Sequence, residues 1–234
     1  GIEFQGQLSG QRLSIQRLSL QHPQGRGSLS GRVRFTEGYP IDLRLQAAAD
    51  GIHEGRDQRL SADLSGRVAD LGVKAQLEGL IAARVDGRVS PLEPAVPYSA
   101  TVRAGRIGWP LAADAQQVTG RDLRLRLRGD LSGYRVSASG GLEGSVPPPL
   151  DWRREARGDW QRARIDSLEL DGLDGTARVS GDVAWSPEVS WQAEITAEGV
   201  QPSKRWPAAP ERIGGRARVT GALESGGWRL DVTT

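Results

Sequence analysis

The sequence predicts an all-β protein, a long curled sheet one layer thick with an apolar face and a polar face, short loops and little helix. Three observations carry this. Apolar and polar side chains alternate with period two along most of the chain, glycines recur in the middle of the alternating runs, and the large apolar residues of a thick interior are scarce.

The alternation is clearest late in the chain. In TARVSGDVAW (176–185), Ala177, Val179, Gly181, Val183 and Trp185 fall on one side, and Arg178, Ser180 and Asp182 on the other. Val189, Trp191, Ala193, Ile195 and Ala197 continue it against Ser190, Gln192, Glu194, Thr196 and Glu198. Ile41, Leu43, Leu45 and Ala47 form an earlier run, and Leu123, Leu125 and Leu127 alternate with Arg124, Arg126 and Arg128. Val219, Gly221 and Leu223, then Trp228, Leu230 and Val232, flank Glu224-Ser225-Gly226-Gly227, a plausible hairpin turn. Such runs are strands with one wet and one greasy side.

The glycines belong to a loose motif: LSGRV (29–33), LSGRV (64–68), VSGDV (179–183), VTGAL (219–223) and the variant YRVSASGGL (134–142). Glycine in mid-strand marks a bulge, a bend or a close backbone approach. The irregular spacing makes it a repeated device without a fixed period. Trp152, Ala156 and Trp160 have helical spacing, but Gly158 interrupts it and a strand is favoured. Residues 201–215, with Pro202, Pro207 and Pro210, predict a loop or short helical turn, and Val146-Pro147-Pro148-Pro149 should break the sheet. No shift in composition divides the chain, which predicts one continuous unit over 1–234. At about six residues per strand plus turns, roughly 14 to 17 strands fit. Stacked at ~4.8 Å, they would make a sheet on the order of 70 Å long.

Composition narrows the function. Hydrophobic residues are 37% of 234, with 2 Phe and no Met, enough to coat one sheet face more easily than to fill two layers. Lys plus Arg is 31 against 29 Asp plus Glu, and a net charge of +2 argues against a nucleic-acid partner. No Cys is present, which removes disulfides, zinc thiolates and cysteine nucleophiles. No run approaches the ~18 apolar residues that span a bilayer. The start at Gly1, without an initiator Met or a signal peptide, predicts a piece of a longer or processed protein, any membrane anchor lying outside it.

The C-terminal half resembles the mid-region of the TamB family, in the AsmA-like superfamily. The residues that carry the resemblance are Gly181, Val183, Trp185, Ser190 and Trp191; Trp206, Pro207, Pro210, Ile213 and Gly215; and Gly226, Gly227 and Trp228. Trp109-Pro110-Leu111 followed by Tyr134 fits the same order, whereas only the strand pattern agrees before Trp109. The resemblance implies a β-taco with an apolar trough, a periplasmic location, an inner-membrane anchor elsewhere and a TamA-type outer-membrane barrel as partner. It also implies phospholipid transport, with autotransporter assembly as the alternative, and no catalytic residues or cofactor.

Physics suits lipid independently. At ~0.8 kcal/mol per CH₂, a sixteen-carbon chain meets a barrier on the order of 12 kcal/mol to cross water, which an apolar trough lowers. A closed sandwich or barrel is the commoner use of such strands, and the resemblance favours the trough. The expected lining is Leu123, Leu125, Leu127, Val136, Val179, Val183, Trp191, Ile195, Val219, Leu223, Leu230 and Val232.

Chemistry finds little support. LESGGW (223–228) faintly resembles a serine-protease context, but a hairpin turn explains Ser225, and a triad also needs a well-placed His. His22 and His53 are assigned to loops, and a zinc site would need Glu54 or Asp57 as well. Glu169, Asp171 and Asp174 surround DGLDG as turn formers. GRGSLSG (25–31) lacks phosphate-loop spacing and is expected to be a loop. Arg124, Arg126 and Arg128 are expected on a solvated outer face. A carbohydrate-active sandwich and a passive periplasmic spacer are the remaining rivals.

Overall fold

The computed structural model describes residues 1–53, 56–109, 111, 117–144, 148–224 and 227–233. They contain sixteen strands and one short 3₁₀ turn, Pro202–Lys204. Two compact units divide the chain, residues 1–116 and 117–234. The first holds β1 (Ile2–Ser9), β2 (Arg12–His22), β3 (Gly25–Arg34), β4 (Pro40–His53), β5 (Arg56–Arg67), β6 (Asp70–Gly79), β7 (Ala83–Val89) and β8 (Tyr98–Trp109). The second holds β9 (Val118–Gly129), β10 (Tyr134–Gly144), β11 (Leu150–Gly158), β12 (Arg162–Gly172), β13 (Gly175–Ala184), β14 (Ser190–Val200), β15 (Ile213–Glu224) and β16 (Gly227–Thr233).

Within each unit the strands pair antiparallel in sequence order, and each is an open, curled single-layer sheet. Hairpin joins explain the order, because a strand followed by a two-residue turn has only its own neighbour within reach. Leu173 and Asp174, both at positive φ, close β12 onto β13 in this way. DWRREARGDW is strand up to Gly158, strands stop at Gly144 and restart at Leu150, and the proline segment forms the 3₁₀ turn.

Two loop assignments are corrected. GRGSLSG is the first part of β3, and two of its glycines, Gly25 and Gly31, are places where backbones pack closely. His22 ends β2 and His53 ends β4, because alternation carries both strands further than loop-like composition suggests.

The recurring glycines resolve into specific devices. Gly31 pairs with Ile15 and Gly181 with Ile165, and the partner strand bulges immediately beyond, between Ile15 and Leu18 and between Ile165 and Leu168. Gly31 has φ +138°, and a Cβ there would lie 2.8 Å from Leu43 Cα; at Gly181 it would lie 2.9 Å from Ala193 Cα. Each glycine therefore lets the next strand approach while the previous one bulges, which adds twist and bends a sheet.

Neither unit has a sealed interior. Among the described residues the buried apolar side chains are Ala62, Leu71, Ala104, Ala156 and Ala163, and no large side chain is fully covered. The chain exposes 15798 Å². Two compact globular domains of half this mass would together expose roughly 12,000 Å². A two-layer sandwich would bury its leucines and valines, and among the described ones only Leu71 is buried.

Candidate functional site

The register assembles the apolar residues into rows that cross the strands. In the second unit one row runs Leu127, Val136, Ala156, Ile165, Gly181, Ala193, Val219 and Val232. A second runs Leu125, Ala138, Arg154, Leu168, Val179, Ile195 and Ala217. A third runs Tyr134, Gly158, Ala163, Val183, Trp191, Gly221 and Leu230. Directly paired residues project to the same face, so one surface, Arg154 apart, is apolar across the seven strands β9–β15 whose side chains are described. Leu123 reaches that face beside Gly140. Leu223 pairs with Trp228 by backbone register, and the side chains of Leu223, Leu230 and Val232 lie outside the described residues. The first unit is built alike: Leu18, Leu29, Leu45, Ala62, Ala75, Val85 and Val102 form one of its rows.

Trp191 lies over Gly221, where any Cβ would overlap its ring. Trp185 stands at the rim just past β13, 41% exposed, and its Nε1 donates to Trp160 O at 2.7 Å. Trp160 Nε1 donates in turn to Leu131 O at 3.1 Å. Three successive turns on one end of the sheet are thus laced by indole N–H groups. Trp185→Phe should remove one link and cost about 1 kcal/mol, read as a lower urea midpoint with unchanged far-UV dichroism. In two of these turns a carboxylate accepts local donors. The Ser132 hydroxyl holds Asp130 below the ordinary carboxylate range, and the Gln161 backbone N–H does the same for Asp159. Both contributions are present above the unfolded carboxylate pKa and fade as pH falls through the lowered one.

The opposite face is polar. Exposed cross-strand ion pairs ladder it, including Arg44–Asp63 (3.0 Å), Arg88–Asp70 (2.8 Å), Arg121–Asp151 (2.8 Å) and Arg218–Glu194. Each contributes little to stability and favours the observed register. The Arg218 hydrogen bond holds Glu194 low. Arg124, Arg126 and Arg128 are all exposed here. Arg128, Arg135, Arg157 and Arg164 stand directly opposite one another on four successive strands and line a depression. Asp166 lies 3.4 Å from Arg157 and 3.7 Å from Arg164. Asp166→Asn should leave the four cations mutually repelling and cost about 0.5–1 kcal/mol. The loss should shrink with added salt in thermal melts.

No reactive constellation forms among the described residues, where no three metal-ligating side chains converge. Glu54 and Ser225 lie outside the described residues. His22 is exposed, and its Nδ1 accepts the Gln24 backbone N–H at 3.3 Å. Glu169 and Asp171 pair with Arg178 and Arg153 across the strands. Arg154 shares the apolar face with Trp152 and Ala156, a position that its charge conceals in the sequence and only their alternation signals.

The family model described as TamB, N-terminal domain, matches residues 1–234. The chain belongs to the TamB family. The match includes residues 1–108, where the strand pattern was the sole sign of kinship, and the domain it names is the N-terminal one. A curated relative, the translocation and assembly module subunit TamB of Haemophilus influenzae, is 22% identical over 227 residues. The alignment covers 94% of this chain and 18% of that protein, so this TamB-family chain spans under a fifth of its relative. No solved structure matches. No helix among the described residues is long and apolar enough to cross a membrane.

Proposed function

We propose that the apolar face is a stretch of a lipid conduit, over which phospholipid acyl chains pass between the inner and outer membranes of a Gram-negative bacterium. The observation that carries this reading is the unsealed apolar face: aligned rows cross seven strands, yet among the described residues no large apolar side chain is fully covered. Contiguous exposed apolar surface of this kind marks an interaction site. Its rows offer an acyl chain similar surroundings from strand to strand. Nothing in the process calls for a catalytic residue or cofactor.

The chain acts in the periplasm, with an anchor in the inner membrane and a TamA-type barrel as outer-membrane partner. The name of the Haemophilus relative, a translocation and assembly module subunit, supports that setting. Residues 1–234 serve as one continuous segment of the route, so both units take lipid. A photocrosslinker at Trp191 or Leu230, and another at Leu45, should each capture phospholipid, identified by mass spectrometry. Capture of none at all three positions rejects the conduit.

A further inference from the structure

We propose that Arg154 is an oxyanion site set into the apolar face, taking the phosphate or carboxylate head of an acyl-chain amphiphile. The inference deepens the conduit reading and rests on it.

Arg154 pairs with Ala138 on one side and Leu168 on the other, so its side chain leaves the sheet on the apolar face. In the three aligned rows of the second unit it is the sole charged residue among the described positions. Its own strand presents Leu150, Trp152, Ala156 and Gly158 on the same side. Arg154 is only half-buried, but part of its donor set is covered and meets no partner in the protein. Arg154 Nε is covered and has no hydrogen-bond partner, and the same holds for Trp152 Nε1 two residues away. No described carboxylate pairs with Arg154, whereas the neighbouring Asp151 is engaged by Arg121 on the other face. A guanidinium does not deprotonate, so its charge cannot be relieved by giving up a proton. It needs an anion or water, and a covered donor without an acceptor calls for an explanation.

The surroundings fit an amphiphile. On β10 the partners of Arg154 and Trp152 are Ala138 and Gly140, small residues that leave space for both long side chains. The Trp152 ring fills that space, its Cε2 3.4 Å from where a Gly140 Cβ would sit. A planar guanidinium fork matches phosphate or carboxylate oxygens, and the indole N–H supplies a second donor. Its own row, through Leu125, Leu168 and Val179, would take the acyl chain.

The test is equilibrium binding of three sixteen-carbon probes to the full chain: palmitate, palmitoyl lysophosphatidate and neutral monopalmitoylglycerol. At least one anionic probe should bind about tenfold tighter than the neutral one. A preference for lysophosphatidate assigns the site to phosphate, and one for palmitate to carboxylate. Arg154→Gln and Arg154→Leu should each reduce the anionic probes to the neutral probe's affinity while leaving that affinity unchanged. Should either variant fail to fold, Arg154→Lys keeps the charge, loses the fork and should still weaken the preference severalfold. Equal affinities in the wild-type chain, or a preference that survives Arg154→Gln, overturn the inference while the conduit stands. Failure of all three probes to bind rejects the conduit reading itself.

Discussion

Val183→Arg and Ile195→Arg should each stop lipid passage while leaving the protein folded and exported. Both residues are half-exposed on the apolar face, Val183 between Ala163 and Trp191 and Ile195 between Val179 and Ala217. A longer side chain there can extend off an open sheet, where in a closed core it would have no space. The native Arg154 shows that this face folds around a guanidinium. A second one on β13 or β14 would put uncompensated, hydrated charge in the path of an acyl chain crossing there. With about 0.8 kcal/mol at stake per CH₂ displaced, losing contact over a few carbons slows a crossing by orders of magnitude. The readout is outer-membrane permeability in cells whose only copy carries the substitution, with circular dichroism of the purified chain as the folding control. Cells with normal barrier function would sink the assignment of the groove.

Gly31→Val should be among the most damaging single substitutions in the first unit, at about 3 kcal/mol or more. The φ of +138° is strained for any L side chain, and the added atoms run into Leu43 Cα on β4. Backbone strain costs about 1–3 kcal/mol and overpacking about as much again. A domain whose whole stability is of order 5–15 kcal/mol loses a large share of it. Gly27, four residues earlier in the same strand, is the internal control. The nearest atom to a Cβ there is Gln46 O at 3.8 Å, so Gly27→Ala should shift stability by less than ~1 kcal/mol. Urea midpoints of the two variants provide the comparison. A Gly31→Val chain as stable as wild type would show that the β3–β4 approach is not tight. Gly181→Val should also destabilise the second unit, but by less, since the close approach recurs there without the positive φ.

These two predictions draw on different layers of information. Which residues share a face was legible along the chain, because a strand's side-chain period is two and TARVSGDVAW or DLRLRLR admits one assignment. Open sheet versus sealed sandwich was not legible, since both use the same alternation. The glycine motif announced a special backbone but could not say which kind. Gly31 and Gly181 turned out to sit beside bulges, while Gly221 makes room under Trp191. GRGSLSG misled because its composition is that of a loop, while cross-strand packing makes it part of β3.

The sequence alone determined the strands, their two faces and the family, because each is written in local periodicity and local motifs. Tertiary structure decided what meets what. It aligned residues from eight strands into rows, set four arginines opposite one another, and left Arg154 among apolar neighbours without a partner. Those outcomes depend on register, and register is fixed by bulges and close approaches between strands, which no single strand's sequence contains.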